Sequence, residues 1–154
     1  MQNVIKKPDS SALRSAIFRL EDAIKSIPGS GIEESGIQHI HHFAPGVYAR
    51  EMIVPAGVLL TGAVHKTEHI SIFMEGRMLI PDEHGSREIQ APIVEICQPG
   101  VKRVGLALDQ VRWITVHPTD ETDLEVLEAE LVTNDPEEAR LIAERVERIG
   151  DYGS

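Results

Sequence analysis

Turn-forming residues punctuate the middle of this chain at short intervals. Pro45-Gly46, Pro55-Ala56-Gly57, Glu75-Gly76, His84-Gly85, Pro99-Gly100 and Asp109-Gln110 leave only short runs between them. Those runs are β-rich and span residues 47–54, 58–65, 69–74, 77–80, 93–97, 101–108 and 111–117. Spacing this tight suits strands of about five to eight residues and leaves no room for helices of ordinary length. No long helical pattern separates the runs, which argues against a parallel sheet built with crossover helices. The expectation is a mainly β fold, a sandwich or barrel, over residues 37–118. Val58-Leu59-Leu60 and residues 70–74 are apolar on both faces. They are expected to be covered inside by a core and outside by a further layer or subunit.

Helical periodicity brackets this zone on both sides. Over residues 9–27, Leu13, Ala16, Ile17, Leu20, Ile24 and Ile27 form one apolar stripe. Asp9, Ser10 and Ser11 are N-cap candidates, and Pro28-Gly29 stops the helix. Residues 28–36 read as a flexible linker. Residues 119–149 are expected to be helical again. Thr122-Asp123-Leu124-Glu125 has capping-box spacing, with Leu124, Leu127 and Leu131 on one face. Asp135-Pro136-Glu137-Glu138 starts a second helix, whose stripe is Ala139, Ile142, Ala143, Val146 and Ile149, with Gly150 as its stop. The chain thus divides into 1–36, a β zone at 37–118 and an acidic helical extension at 119–154.

The charge follows the same division. The 154 residues carry 25 acidic and 15 basic side chains, a net of −10. Residues 1–118 hold 13 acids against 12 bases, and residues 119–154 hold 12 against 3. No basic stripe suited to nucleic-acid phosphates is present, so a nucleic-acid partner is not expected. No apolar run approaches a membrane span, and the N-terminus lacks a secretory pattern. A single cysteine, Cys97, excludes an internal disulfide framework. These features lead us to expect a cytoplasmic setting. Cys97 lies in an apolar run and reads as a small buried hydrophobe.

Seven histidines raise the question of metal: His39, His41, His42, His65, His69, His84 and His117. On one straight strand His65 and His69 would lie about 13 Å apart, too far to share an ion. If Lys66-Thr67-Glu68 instead joins two strands tightly, the two imidazoles converge. The alternative is a pair of hydrogen-bonded histidines in a polar barrel mouth. His117 shares a strand face with Val111, Trp113 and Thr115, and Trp113 is bulky enough to fill a barrel. His41, His42, Glu51 and Glu75 are further potential donors. His39 and His84 read as surface residues, and Tyr48-Ala49-Arg50-Glu51 as structural or a subunit contact.

His65, His69 and Gly76 reproduce the spacing that ends the first motif of the cupin superfamily, with histidine in the place of its glutamate. The chain resembles that superfamily over about residues 40–118. The motif's earlier histidine falls at Ala63 and is absent. Pro99-Gly100-Val101-Lys102-Arg103 resembles the second motif in contracted form, with Arg103 at the usual histidine position. His41 to Glu51, Ile53 to Gly57, His65 to His69 and Val116 to Leu124 are also similar to small cupin-like proteins of tailed bacteriophages, largely of unassigned function.

The resemblance implies a cupin-type jelly-roll β-barrel with an N-terminal helix and C-terminal helices. It also implies a divalent metal ion (Zn, Fe, Mn or Ni) on His65, His69 and a third donor, for which His117 is a candidate. Arg103 cannot ligate a metal, because its guanidinium stays protonated. It can instead bind a carboxylate or phosphate, or pair with a local acid. Glu51 and Trp113 complete the candidate ligand-binding set. A homodimer or higher homo-oligomer and a small anionic ligand are the expected partners. If the protein is phage-encoded, the host cytoplasm is its setting. A metal-dependent enzyme, a ligand-sequestering module and a structural or assembly protein all remain open.

Overall fold

The computed structural model describes residues 4–82 and 84–152. A short strand, β1 (Val4–Lys6), leads into α1 (Ser11–Lys25), and the single-turn α2 (Ile32–Ser35) precedes the main strands. These are β2 (Gln38–Ala44), β3 (Val47–Val54), β4 (Leu59–Thr61), β5 (Val64–His65), β6 (His69–Glu75), β7 (Arg77–Asp82), β8 (Gly85–Gln90), β9 (Ile93–Cys97), β10 (Val104–Ala107) and β11 (Val111–Pro118). The chain continues through α3 (Leu124–Leu131), β12 (Val132–Thr133) and α4 (Pro136–Tyr152).

The fold is mainly β, a two-sheet jelly-roll type of barrel with helices before and after it. One sheet runs β1-β9-β6-β11-β3-β2, another β4-β10-β7-β8, and β12 pairs with β5 alone. Successive strands repeatedly cross from one large sheet to the other, as in double-sheet jelly rolls. Val54, Phe73, Val111 and Trp113 from the six-stranded sheet pack with Met78, Ile89 and Ala107 from the four-stranded one. Gly76 makes the tight β6–β7 turn at φ +94°, and a Cβ there would meet the Gln110 carbonyl oxygen at 2.3 Å.

Several boundaries differ from the sequence reading. Residues 58–65 do not form one strand: β4 and β5 belong to different sheets. Residues 85–90 form a strand that pairs with β7 throughout. Between α3 and α4 the chain is extended at Val132 and Thr133, because their pairing with His65 and Val64 outweighs local helix preference. Gly150, expected as a stop, lies within α4.

The helices dock through few contacts. Ser10 caps α1 by accepting from the Leu13 amide. The buried side chains of α1 are Arg14, Ile17 and Glu21, while Leu20 remains 38% exposed. The stripe is therefore rotated towards charge. Glu21 meets the fully buried Lys102 ammonium at 2.6 Å, and Lys102 also donates to the Gly62 carbonyl at 2.6 Å. Breaking such a pair costs about 3–5 kcal/mol, since one charge is left buried and uncompensated. α4 lays Ala139 and Ala143 inward, both with no exposed surface. It comes so close to the 99–100 turn that a Cβ on Gly100 (φ +91°) would meet the Ala143 Cα at 2.9 Å. No described helix is long and apolar enough to cross a membrane.

Candidate functional site

Strand register sorts the inner face of the six-stranded sheet into rows, because partners across strands point the same way. One row is Ile93, Phe73, Trp113, Met52 and His39. The next, one step along each strand pair, is Glu95, Ser71, Thr115, Arg50 and His41. Beyond it His69 pairs with Cys97, and His117 with Tyr48, which in turn pairs with Phe43. The inner face is thus apolar at one end and polar at the other.

The polar end gathers three imidazoles. The chain doubles back after His65, and the His65 and His69 ring centroids lie 4.1 Å apart. His117 lies 5.2 Å from His65 and 4.9 Å from His69. The cluster continues as a run of rings through Tyr48, 6.1 Å from His117, to Phe43, 5.1 Å from Tyr48. The His41 Nδ1 shares a 2.6 Å hydrogen bond with the Tyr48 hydroxyl.

Burial makes all three histidines poor bases. Desolvation, then the charges its neighbours would carry, holds His65 well below the ordinary imidazole range. Desolvation also lowers His69, against a hydrogen bond to the Thr67 carbonyl that favours its protonated form. His117 is pushed down to about 4, by burial first and then by His69 and Arg50. At neutral pH the cluster is three neutral rings, each with one lone-pair nitrogen. His69 Nδ1–H donates to the Thr67 carbonyl at 3.1 Å, which leaves Nε2 as its lone pair. His117 Nε2 lies 3.1 Å from the Thr115 hydroxyl, and its buried Nδ1 has no hydrogen-bond partner among the described residues.

This donor set suits a borderline divalent ion. Neutral imidazoles are common ligands of Zn, Fe and Ni, and the second nitrogen of His69 is held by a carbonyl as ligating histidines usually are. The rings stand 14–33° from parallel. Among the described residues, no three His, Cys, Asp or Glu side chains already converge as a ligand set.

Arg103 and Trp113 form the floor between the polar and apolar ends. The Arg103 guanidinium lies 4.9 Å over the Trp113 ring and donates to Glu95 at 2.7 Å. Of the two roles open to Arg103 in the sequence, pairing with a local acid is therefore present. Trp113 stacks at a tilt against Phe73 at 4.8 Å, and its indole N–H donates to the Ser71 hydroxyl. Burial raises the Cys97 thiol, against the nearby Arg103 charge, so it stays protonated.

Glu51 does not join the cluster. Its neighbours Arg50 and Met52 pair with inward-facing residues, so Glu51 points through the opposite face. There it accepts from Arg112 and meets His42 Nε2 at 2.9 Å. Those bonds, from His42 first and Arg112 second, keep its carboxyl below the usual range. That outer face also carries Ile5, Ile70 and Val94, each 45–58% exposed.

Sequence reasoning took Tyr48 and Arg50 as structural or a subunit contact, and placed Thr115 on the strand face of His117 without a role. The missing signal was strand parity: Tyr48, Arg50, Met52 and Val54 alternate with outward residues, but their direction is set only by the β3–β11 register. The C-terminal segment was also undervalued. β12 pairs with β5 at His65, the Lys66 ammonium donates to the Ala129 carbonyl at 2.9 Å, and Glu128 reaches Arg50 at 3.7 Å. This segment packs beside the histidine cluster.

No family model matches the chain, and no curated protein matches it in sequence. Solved structures with similarity to it include ectoine synthase from P. lautus (18% identity, 64% of this chain, 75% of that chain, TM-score 0.47). A cupin domain from Bordetella pertussis is similar over 58% of this chain and 99% of its own (16% identity, TM-score 0.44). A cupin-2 domain protein from Shewanella frigidimarina is similar over 53% of this chain and 80% of its own (16% identity, TM-score 0.41).

Proposed function

We propose that this is a cupin-type protein that holds a divalent metal ion on His65, His69 and His117 in the polar end of its barrel and takes a small ligand beside it. The observation that carries this reading is the orphaned, buried Nδ1 of His117. A buried polar atom without a partner costs roughly 1–3 kcal/mol. Here it stands among two more neutral imidazoles, one with its Nε2 lone pair free. A bound ion would satisfy the lone pairs together. When bound, the ion would supply Lewis-acid polarisation of a ligand oxygen. The residues around it exclude water with Trp113 and Tyr48 and present hydroxyls at Thr115 and Ser71.

Metal analysis of the purified protein tests the reading. Stoichiometric Zn, Fe, Mn or Ni is expected, lost in the His65→Ala/His69→Ala double variant while far-UV circular dichroism is unchanged. A wild-type protein that holds no metal and takes up none on addition of zinc sinks it. The near-parallel rings favour a second reading, a module that sequesters a small anion without metal. That reading predicts metal-free protein whose thermal unfolding is raised by a small anion.

A further inference from the structure

We propose that Arg50 is the residue that binds the ligand, and that the ligand carries a carboxylate. This rests on the reading of the polar end as a ligand pocket, and it adds the chemical class. Register places Arg50 in the middle of the polar row, between Thr115 on β11 and His41 on β2. Tyr48, two residues away on the same strand face, pairs with His117, so Arg50 stands one row from the histidine cluster.

The two arginines of the pocket differ in commitment. Arg103 is engaged by Glu95 at 2.7 Å, by the Cys97 sulfur at 3.6 Å and by the Trp113 ring. It is part of the wall. Among the described residues, Arg50 has one acidic partner, Glu128 of α3, at 3.7 Å. That distance is too long for a good hydrogen bond. The Glu128 side chain is 58% exposed, against 27% for Arg50. Glu128 is therefore a rim acid, and among the described residues the guanidinium fork of Arg50 has no anion within hydrogen-bonding distance.

Charge selects the ligand. The histidines are neutral, and Glu95 is spent on Arg103. A divalent ion on the rings would add further positive charge. A partly buried guanidinium in such surroundings calls for an anion. A planar fork matches a carboxylate through two parallel hydrogen bonds. A carboxylate is planar like the fork, whereas phosphate is tetrahedral, which favours the carboxylate.

Calorimetry on zinc-loaded protein with malonate, malonamide and inorganic phosphate tests this. Malonate should bind, and malonamide, of similar shape but uncharged, should not. Arg50→Gln should keep the zinc stoichiometry and lose about 10- to 100-fold in malonate affinity, as expected for one charge-assisted contact. Glu128→Gln, an exposed change that frees Arg50 from its competitor, should tighten malonate several-fold, an effect a merely structural arginine would not give. Equal binding of malonate and malonamide, unaltered affinity in Arg50→Gln, or tighter phosphate than malonate overturns the proposal. If the wild type takes no zinc, the metal reading fails separately. The same titration on metal-free protein then decides: malonate binding lost in Arg50→Gln supports the proposal, and no malonate binding overturns it.

Discussion

The two ends of one sheet face do opposite work. At one end Phe73, Trp113, Val111 and Val54 are 0–8% exposed and meet the other sheet in a continuous apolar core. At the other end the same strands bury His69, Ser71 and His117 to a similar degree, at 1–5% exposure. Burial is equal, but its energetic sign is not. Apolar burial stabilises by about 1.5–3 kcal/mol per large side chain. Burying an imidazole with an unpartnered nitrogen destabilises. The difference teaches that the strands anchor the fold at one end and hold costly polar groups at the other.

Four experiments can break or sharpen this contrast. The largest effect is expected from Phe73→Ala, which should lower unfolding free energy by about 3–5 kcal/mol in urea titrations. A loss below about 1 kcal/mol would show that the apolar end is not the anchor. Next comes acid. The folded-state pKa of His117 is about 4, against 6.5 for an ordinary imidazole, so the unfolded chain binds more protons between those values. Stability of metal-free protein should therefore fall as pH drops from about 6.5 to 4, by up to about 3 kcal/mol from this group, and His65 and His69 should add in the same direction. A flat profile across that window contradicts the buried, neutral cluster.

Arg112→Ala should cost about 1–3 kcal/mol, because it removes a partner of the buried Glu51 carboxylate on the outer face. It should leave metal content untouched, and a loss of metal there would return Glu51 to the site. The smallest change in stability is expected from His117→Leu, within about 1 kcal/mol of wild type in metal-free protein, since it deletes an unsatisfied polar atom. The same variant should abolish metal uptake. A destabilisation as large as that of Phe73→Ala would erase the distinction between the two ends.

Much of this was legible from residue order. The turn residues marked the β zone, and Asp135 and Ser10 marked helix starts that the structure caps through their side chains, whereas α3 is capped by Asp123 in place of the expected capping box from Thr122. The rise per residue of a strand set the condition that His65 and His69 meet only if the chain doubles back between them, and the rings do meet. Face assignment was harder. Glu51 and Arg50 are neighbours of similar promise, and only the pairing of β3 with β11 shows which one points inward. The α1 stripe misled for a different reason: a buried ion pair with Lys102 turned Glu21 inward, and hydrophobic periodicity has no term for that. β12 left no local signal, because two residues take their conformation from partners at Val64 and His65.

That last pairing has a bearing on how the protein is made. The segment that pairs with His65 is synthesised after every strand of both large sheets. The two large sheets can therefore form during translation before β12 reaches β5, so the histidine cluster gains its last neighbour late.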